Sequence, residues 1–267
     1  MKLTILAAAL LAAGAVGLFA QPTTAKPAQA APAQAPKGPT VKSQAELQAL
    51  QAWQAALQAG DPDGIIKADD DVLIKFPATD FKANVLETEA TAYKQKGDWI
   101  KAQIYASQAL AANPQSFQSA LMLADIPAKH TGEHDLDKEE SLTKAEKYAH
   151  QAIDIVNAAP KPQQLTDQQW TEYQKQIASQ AQDDLGLISM DRKSWDAAVA
   201  SFKAAFALVA EPAYKVHLAN ALTFGGKYDD AIAVCDQILA EPNLHPQIQS
   251  AAKSVRANAT AAKAMAK

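Results

Sequence analysis

The segment HTGEHDLD at residues 130–137 is the only cluster in the sequence that resembles a metal site. Its potential ligands are His130, Glu133, His134, Asp135 and Asp137. Imidazole nitrogens and carboxylate oxygens bind zinc, and two histidines four residues apart on a helix would share one face. Because Thr131-Gly132 interrupts a helix, the segment predicts a hydrated acidic loop. The alternative is a metal-dependent binding protein or enzyme that uses His130 and His134.

The other carboxylate runs have simpler explanations. The run DPDG at 61–64 lacks the third acidic position and the closing glutamate of a calcium loop, so Asp61 or Asp63 is expected to cap a helix. In the runs DDD at 69–71 and DD at 183–184, successive side chains on a helix point about 100° apart and cannot all converge on one substrate. These aspartates are therefore expected on solvated helix faces. The sequence contains no Gly-rich phosphate loop, nucleophile elbow or paired-cysteine motif. It therefore predicts a non-catalytic protein with no cofactor-binding residue and no bound metal.

The chain begins with features of an exported protein. Met1-Lys2 provides a positive start, and residues 3–20 form an uninterrupted apolar run, which is the layout of a signal peptide. Ala20 precedes polar Gln21-Pro22, which predicts cleavage after Ala20 and a periplasmic or secreted protein. Since a membrane span needs about 17–25 apolar residues, the alternative is an uncleaved anchor. That anchor would tether an assembly factor to the exterior of the inner membrane.

Residues 21–42 predict a disordered spacer rich in proline, alanine and glutamine. Its prolines are Pro22, Pro27, Pro32, Pro36 and Pro39, and proline both removes backbone donors and favours extended backbone. Residues 1–42 contain four lysines and no acid, which leaves 21 basic against 29 acidic residues, a net charge of −8, in the remainder. That charge argues against a nucleic-acid partner, because phosphates require clustered lysine and arginine.

A phrase of aromatic, small and large apolar residues recurs along the rest of the chain. The copies are GDWIKAQIYASQALAANP at 97–114, KSWDAAVASFKAAFALVAEP at 193–212, GKYDDAIAVCDQILAEP at 226–242 and a weaker LTKAEKYAHQAIDIVNAAP at 142–160. Small residues allow two antiparallel helices to approach closely, and aromatic residues fill the space toward the next pair. Cys235, the only cysteine, occupies one of the small positions and is expected to be a buried apolar residue.

The phrase resembles the tetratricopeptide repeat, a helix pair of about 34 residues. The residues that carry the resemblance are Tyr93, Gly97, Ala102, Ala109 and Pro114 in one copy, Leu185-Gly186, Ala198, Phe202 and Ala205 in the next, and Leu218-Ala219, Gly226, Tyr228, Ala231 and Pro242 in the last. The resemblance implies an all-α, right-handed α-solenoid of antiparallel helix pairs over 43–267. We expect units at 46–79, 83–116, 117–160, 165–212 and 213–244, followed by a capping helix at 246–267.

Two units depart from the repeat length. The unit at 117–160 contains the polar segment 130–140, which is expected to be a loop between its helices. The unit at 165–212 contains 165–182, whose pattern extends its first helix. Thr166 and Gln169 form a plausible capping box at the start of this helix.

The resemblance also implies a concave groove lined by the first helix of each pair, which accepts a protein or peptide partner. The groove residues that it implies are Asn84, Thr91, Lys94, Gln95, Leu187, Met190, Asn220, Thr223 and Phe224. Members of the family that bind a chain-terminal carboxylate use a clamp rich in Asn and Lys or Arg, and this chain does not reproduce that clamp. The predicted function is a non-catalytic scaffold for protein–protein interactions in the cell envelope.

Overall fold

The computed structural model describes residues 39–266, so the predicted signal peptide at 1–20 and residues 21–38 of the predicted spacer lie outside it. The described chain contains eleven α-helices and no β-strand. Within 39–266, no helix combines the length and the apolar character needed to cross a bilayer. The chain forms two compact units, one ending at Lys82 and the other beginning at Ala83.

The first unit is built around helices α1 (Gln44–Ala59) and α2 (Pro62–Lys75), which pack against each other. Leu50 of α1 and Val72 of α2 are buried. The Asp61 side chain accepts a hydrogen bond from the backbone N–H of Gly64 at 2.9 Å, which confirms Asp61 as the cap of α2. A solvated face for all three residues at 69–71 is wrong, because Asp69 lies on the buried stripe with Val72.

The residues that precede α1 are held by a carboxylate after α2. Asp80 Oδ2 accepts hydrogen bonds from the Thr40 backbone N–H at 3.1 Å and from its hydroxyl at 2.9 Å. The Lys42 ammonium lies 2.6 Å from Asp80 Oδ1. The hydrogen bonds from Lys42 and Thr40 lower the pKa of Asp80 to about 2. Residues 39–42, the end of the predicted spacer, therefore contact the loop at 76–81.

The second unit consists of successive helix pairs. Its helices are α3 (Lys82–Gln95, whose first residue is the last of the first unit), α4 (Trp99–Ala112), α5 (Phe117–His130), α6 (Lys138–Ala158), α7 (Asp167–Asp191), α8 (Trp195–Leu208), α9 (Pro212–Phe224), α10 (Tyr228–Leu239) and α11 (Pro246–Met265). We call α3, α5, α7 and α9 the A helices and α4, α6, α8 and α10 the B helices. Helix α11 packs against both α9 and α10. The predicted all-α architecture of paired helices is confirmed.

The small residues of the recurring phrase lie where helices approach most closely. Ala102, Ala106 and Ala109 of α4 are completely buried, as are Ala198 and Ala205 of α8. Cys235 is completely buried as well, and burial raises the pKa of its thiol. The prediction that Cys235 behaves as an interior apolar residue is confirmed.

The two departures from the repeat length are a loop and a long helix. The loop covers 131–137 and not the predicted 130–140, because His130 ends α5 and Lys138 begins α6. Helix α7 has 25 residues, and the Thr166–Gln169 capping box at its start is present. Its extra turns bring Trp170 and Tyr173 against Phe117 of α5, with ring centroids 6.5 and 5.9 Å from that of Phe117. This aromatic cluster packs onto the core between α5, α6 and α7. The extension is thus an integral part of the stack.

Three turns between an A helix and the following B helix use a residue with left-handed backbone. Two of these residues are glycines, Gly97 at φ 75° and Gly226 at φ 74°. The third is Lys193, at φ 58°. A left-handed conformation is unfavourable for a residue with a Cβ atom. The turn at Lys193 is therefore strained, whereas the equivalent turns at Gly97 and Gly226 are not.

Gly186 allows α7 and α8 to meet. A Cβ atom at this position would lie 2.3 Å from Cε1 of Phe202, whose side chain is completely buried. No real Cβ contact is that short, so either the Phe202 ring or the α7 backbone would have to move. The Leu185-Gly186 pair that carries the repeat resemblance therefore has a packing role.

We predict that Gly186→Ala lowers the free energy of unfolding by about 1–3 kcal/mol, the usual cost of overpacking a core. Thermal and urea unfolding followed by circular dichroism measure this change. Phe202→Leu should lower the free energy of unfolding less in the Gly186→Ala variant than in the wild type. The smaller leucine side chain makes room for the methyl group of Ala at position 186. Equal stability of Gly186→Ala and wild type would contradict the close approach of these helices.

Candidate interaction surface on the A helices

A row of charged side chains connects all four A helices. We call it the charge row; its members are Lys94 of α3, Asp125 and Lys129 of α5, Asp183 and Asp184 of α7, and His217 of α9. Lys94 Nζ lies 2.6 Å from Asp125 Oδ2, and Lys129 pairs with Asp125 as well. Lys129 Nζ is 3.8 Å from Asp184 Oδ1, and His217 Nδ1 is 2.7 Å from Asp183 Oδ1. The row thus joins successive A helices by ion pairs and hydrogen bonds.

Two carboxylates of the charge row, Asp183 and Asp184, are buried and Asp125 is largely buried, whereas the basic groups reach the surface. The Asp184 side chain is 1% exposed, whereas that of Lys129 is 44% exposed. The expectation of a solvated face at 183–184 is therefore wrong. Helix α7 packs against α5, α6, α8 and α9, so both aspartates are enclosed although they are adjacent in sequence.

Burial and charge shift the pKa values of these groups in opposite directions. Burial raises the pKa of Asp184 well above its usual value, and the nearby Asp125 carboxylate adds to this while Lys129 opposes it. Burial alone would raise the pKa of Asp125, but Lys94 and Lys129 outweigh it and lower that pKa. Burial alone would lower the pKa of Lys129, but Asp184 and Asp125 outweigh it and raise that pKa. Lys129 therefore remains a cation at neutral pH.

Further hydrogen bonds reinforce the contacts between A helices. The Ser116 hydroxyl, which caps α5, donates to Glu87 Oε2 of α3 at 2.6 Å. Gln118 Nε2 donates to the Tyr173 hydroxyl of α7 at 2.8 Å. The hydroxyls of Ser179 on α7 and Tyr214 on α9 are 3.3 Å apart. Every successive pair of A helices is therefore connected by polar side chains.

The predicted groove residues on α3 occupy different environments. Lys94 belongs to the charge row, which also contains α5 side chains that the repeat resemblance did not indicate. Thr91 donates its hydroxyl to the Glu87 carbonyl within its own helix, and Asn84 and Gln95 are both exposed. The sequence does contain a signal for α5, because Asp125 and Lys129 are oppositely charged and four residues apart.

The predicted groove residues on α7 and α9 differ in their exposure. Leu187 and Met190 are partly buried against the core formed by α8, α9, α10 and α11. Asn220 is partly buried, and Thr223 donates its hydroxyl to the Ala219 carbonyl. Phe224 is 62% exposed. Their role in binding stays a prediction.

Stacked rings occur at two equivalent places, where a B helix begins beside the end of the next A helix. Trp195 of α8 stacks on Phe224 of α9, with ring centroids 5.5 Å apart and an interplanar angle of 20°. Trp99 of α4 stacks on His130 of α5 at 4.0 Å and 21°. The ring stacked on the tryptophan is the polar imidazole of His130 in the first half of the unit and the apolar ring of Phe224 in the second half.

The loop at 131–137 uses its acidic side chains for local bonds. Glu133 pairs with Lys138 at 3.0 Å and with Lys193 at 3.2 Å. Asp135 accepts the Gly132 backbone N–H at 2.6 Å, and the Asp137 carboxylate lies 3.2 Å from the Ser141 hydroxyl. Among residues 39–266, no group of three or more His, Cys, Asp or Glu side chains is arranged to hold a metal ion. The structure therefore does not assemble the His130 and His134 site of the alternative hypothesis.

Comparison with known proteins identifies the fold. No protein-family model matches the chain, and no curated protein matches it. The crystal structure of TTC0263, a thermophilic TPR protein of Thermus thermophilus, is 17% identical with a TM-score of 0.54; the match covers 79% of this chain and 98% of that one. The crystal structure of MamA is 16% identical with a TM-score of 0.54, over 73% of this chain and 90% of that one. The fold is that of tetratricopeptide-repeat proteins, which confirms the resemblance drawn from the sequence.

The raised pKa of Asp184 predicts a specific pH dependence. An unfolded aspartate has a pKa of about 3.9, so the folded chain binds the Asp184 proton more tightly than the unfolded chain does. The stability from this group is complete below about pH 4 and is lost as pH rises through the folded pKa. We therefore expect the Tm of the wild type minus that of Asp184→Asn to fall as pH rises from about 4 toward neutral.

Asp125→Asn is the matched control, because the pKa of Asp125 is lowered. Its contribution to stability is present above about pH 4 and is lost as pH falls through its folded pKa. The Tm difference between wild type and Asp125→Asn should therefore shrink on acidification, the opposite trend. Parallel Tm profiles for wild type and Asp184→Asn would show that burial does not perturb Asp184.

Proposed function

We propose that this chain, which has the tetratricopeptide-repeat fold, is a non-catalytic scaffold that binds a partner protein on the surface of its A helices. The observation that carries the proposal is the charge row. Buried Asp183 and Asp184, and the largely buried Asp125, hold partly exposed Lys94, Lys129 and His217 in fixed positions across four helices. Groups fixed before binding lose little conformational entropy when a partner arrives, which favours recognition.

The polar character of this row fits recognition better than stability. Burying paired charges seldom stabilises a fold relative to apolar residues of similar size, because desolvation offsets the attraction between them. An all-apolar contact between A helices would hold the stack together equally well. A row of basic groups held by buried carboxylates therefore supports a surface that selects its partner by charge.

A photo-crosslinking experiment in the native host tests the proposal. We expect benzoylphenylalanine in place of Asn220, on the A helix α9, to give discrete adducts with a partner protein after irradiation. The same substitution at Ser107, an exposed residue of the B helix α4, is the control and should give none of these adducts. Identical adducts from both positions, or none from Asn220, would contradict binding at the A helices.

We also propose that the scaffold works in the cell envelope, which rests on the sequence of residues 1–20. The positive start and the apolar run support export, and Ala20 before Gln21-Pro22 supports cleavage at that bond. We expect the mature protein to begin at Gln21 and to fractionate with the periplasm or the medium. Edman sequencing or mass spectrometry of the purified protein measures this. A chain that begins at Met1 and sediments with membranes would indicate the uncleaved anchor instead.

A further inference from the structure

Three successive connections from an A helix to its B helix lie side by side along one edge of the stack. We call this edge the turn edge; its residues are 131–137, 192–197 and 225–227. Lys193 of the second connection pairs with Glu133 of the first at 3.2 Å, and Asp196 pairs with Lys227 of the third at 2.7 Å. The turn edge therefore joins three consecutive repeats at the C-terminal ends of their A helices.

A leucine protrudes from the first of these connections. Leu136 is completely exposed, although the residues around it are polar. The loop that carries it is held by local bonds, because Glu133 contacts both Lys138 and Lys193 and Asp135 accepts the Gly132 N–H at 2.6 Å. A partner that covers Leu136 therefore meets a loop that is already ordered, which reduces the entropy lost on binding.

A shallow cavity opens between the second and third connections. Its volume is about 360 Å³, and Trp195 and Ala197 line it together with Lys193 and Lys227. Trp195 also carries the stacked ring of Phe224, which is 62% exposed, so further apolar surface adjoins the cavity. An apolar cavity of about 150 Å³ holds a benzene molecule, so this cavity is large enough for a leucine side chain.

The loop and the cavity carry opposite net charge. Residues 133–137 contain three carboxylates and no lysine or arginine, a net charge of −3. The cavity is lined by two lysines, Lys193 and Lys227, and by one carboxylate, that of Asp196, a net charge of +1. The side chains of the two lysines are 67% and 47% exposed. Because an ammonium group has three donors, each lysine can bind a second carboxylate beside the one it already has.

We propose that the turn edge is the interface of a two-fold symmetric dimer of this chain, in which Leu136 of each copy enters the cavity beside Trp195 of the other. A two-fold axis brings the same patch of both copies face to face, so that patch must contain both halves of each contact. The turn edge meets this condition, because Lys193 both lines the cavity and pairs with the loop that carries Leu136.

A second copy fits this edge better than an unrelated protein does. An unrelated partner would need its own protruding apolar side chain beside carboxylates, and its own cavity beside lysines, at the matching separation. A second copy has both at that separation. The dimer goes beyond the proposed function, because it uses the ends of the A helices and leaves their sides to a partner protein.

Sedimentation equilibrium of the protein purified from its host tests the proposal. We expect the wild type to show a concentration-dependent equilibrium between monomer and dimer. Leu136→Ser should raise the dimer Kd by about a hundredfold, because burial of one leucine contributes about tenfold and the dimer contains two such contacts. Ala197→Trp should also weaken the dimer, since the indole fills the cavity from an exposed position.

Ile100→Ser is the matched control, because Ile100 is 73% exposed on α4, away from the turn edge. Its dimer Kd should equal that of the wild type. Both Leu136 and Ala197 are exposed in the monomer, so all three variants should keep the circular-dichroism spectrum of the wild type.

A mixture of Leu136→Ser and Ala197→Trp tests the exchange of the two halves directly. Their heterodimer keeps one intact contact, the leucine of one variant in the open cavity of the other, whereas each homodimer keeps none. The mixture should therefore contain more dimer than either variant alone. The proposal is overturned if the wild type stays monomeric up to about 1 mM, if Leu136→Ser dimerises as tightly as the wild type, or if mixing adds no dimer. A monomeric wild type with specific crosslinks at Asn220 would reject the dimer and leave the scaffold function intact.

Discussion

The close approach of neighbouring helices along lines of small residues is the constraint on which the second unit depends. Ala102, Ala106 and Ala109 allow it in α4, and Gly186 allows the Phe202 ring to lie against the α7 backbone. Because protein interiors are packed as densely as organic crystals, a contact of this kind fixes the distance and orientation of both helices. These contacts therefore constrain the separation and alignment of the helices on which the charge row lies.

The charge row depends on that packing. Asp183 and Asp184 are consecutive, so they point in different directions from α7, and only a helix enclosed on several sides can bury both. Each then finds a basic partner on a different neighbour, His217 on α9 and Lys129 on α5. The result is a surface with basic groups outside and carboxylates beneath. Such an arrangement is less stabilising than apolar packing would be, because the carboxylates are desolvated, but it fixes the positions of the basic groups.

The two departures from the regular repeat contribute to the stack in different ways. The long α7 adds an aromatic cluster with Phe117, which enlarges the core between α5 and α7. The loop at 131–137 is tied to the turn after α7 through Glu133 and Lys193. Both features therefore involve α5 and α7, the two helices that supply four of the six side chains of the charge row.

The sequence by itself determined the helix pairs, the capping box at Thr166, a polar loop within 130–140 and the burial of Cys235. These are local properties, because caps, breaks and small-residue spacing act within one or two helical turns. The repeat resemblance also implied groove residues on α7 and α9, whose role in binding stays a prediction. The tertiary structure alone decided that Asp184 is buried beside Lys129, 55 residues away in sequence, and that Trp195 lies under Phe224. Such pairings depend on which helices become neighbours, and no local pattern encodes the partner of a buried charge or an exposed ring.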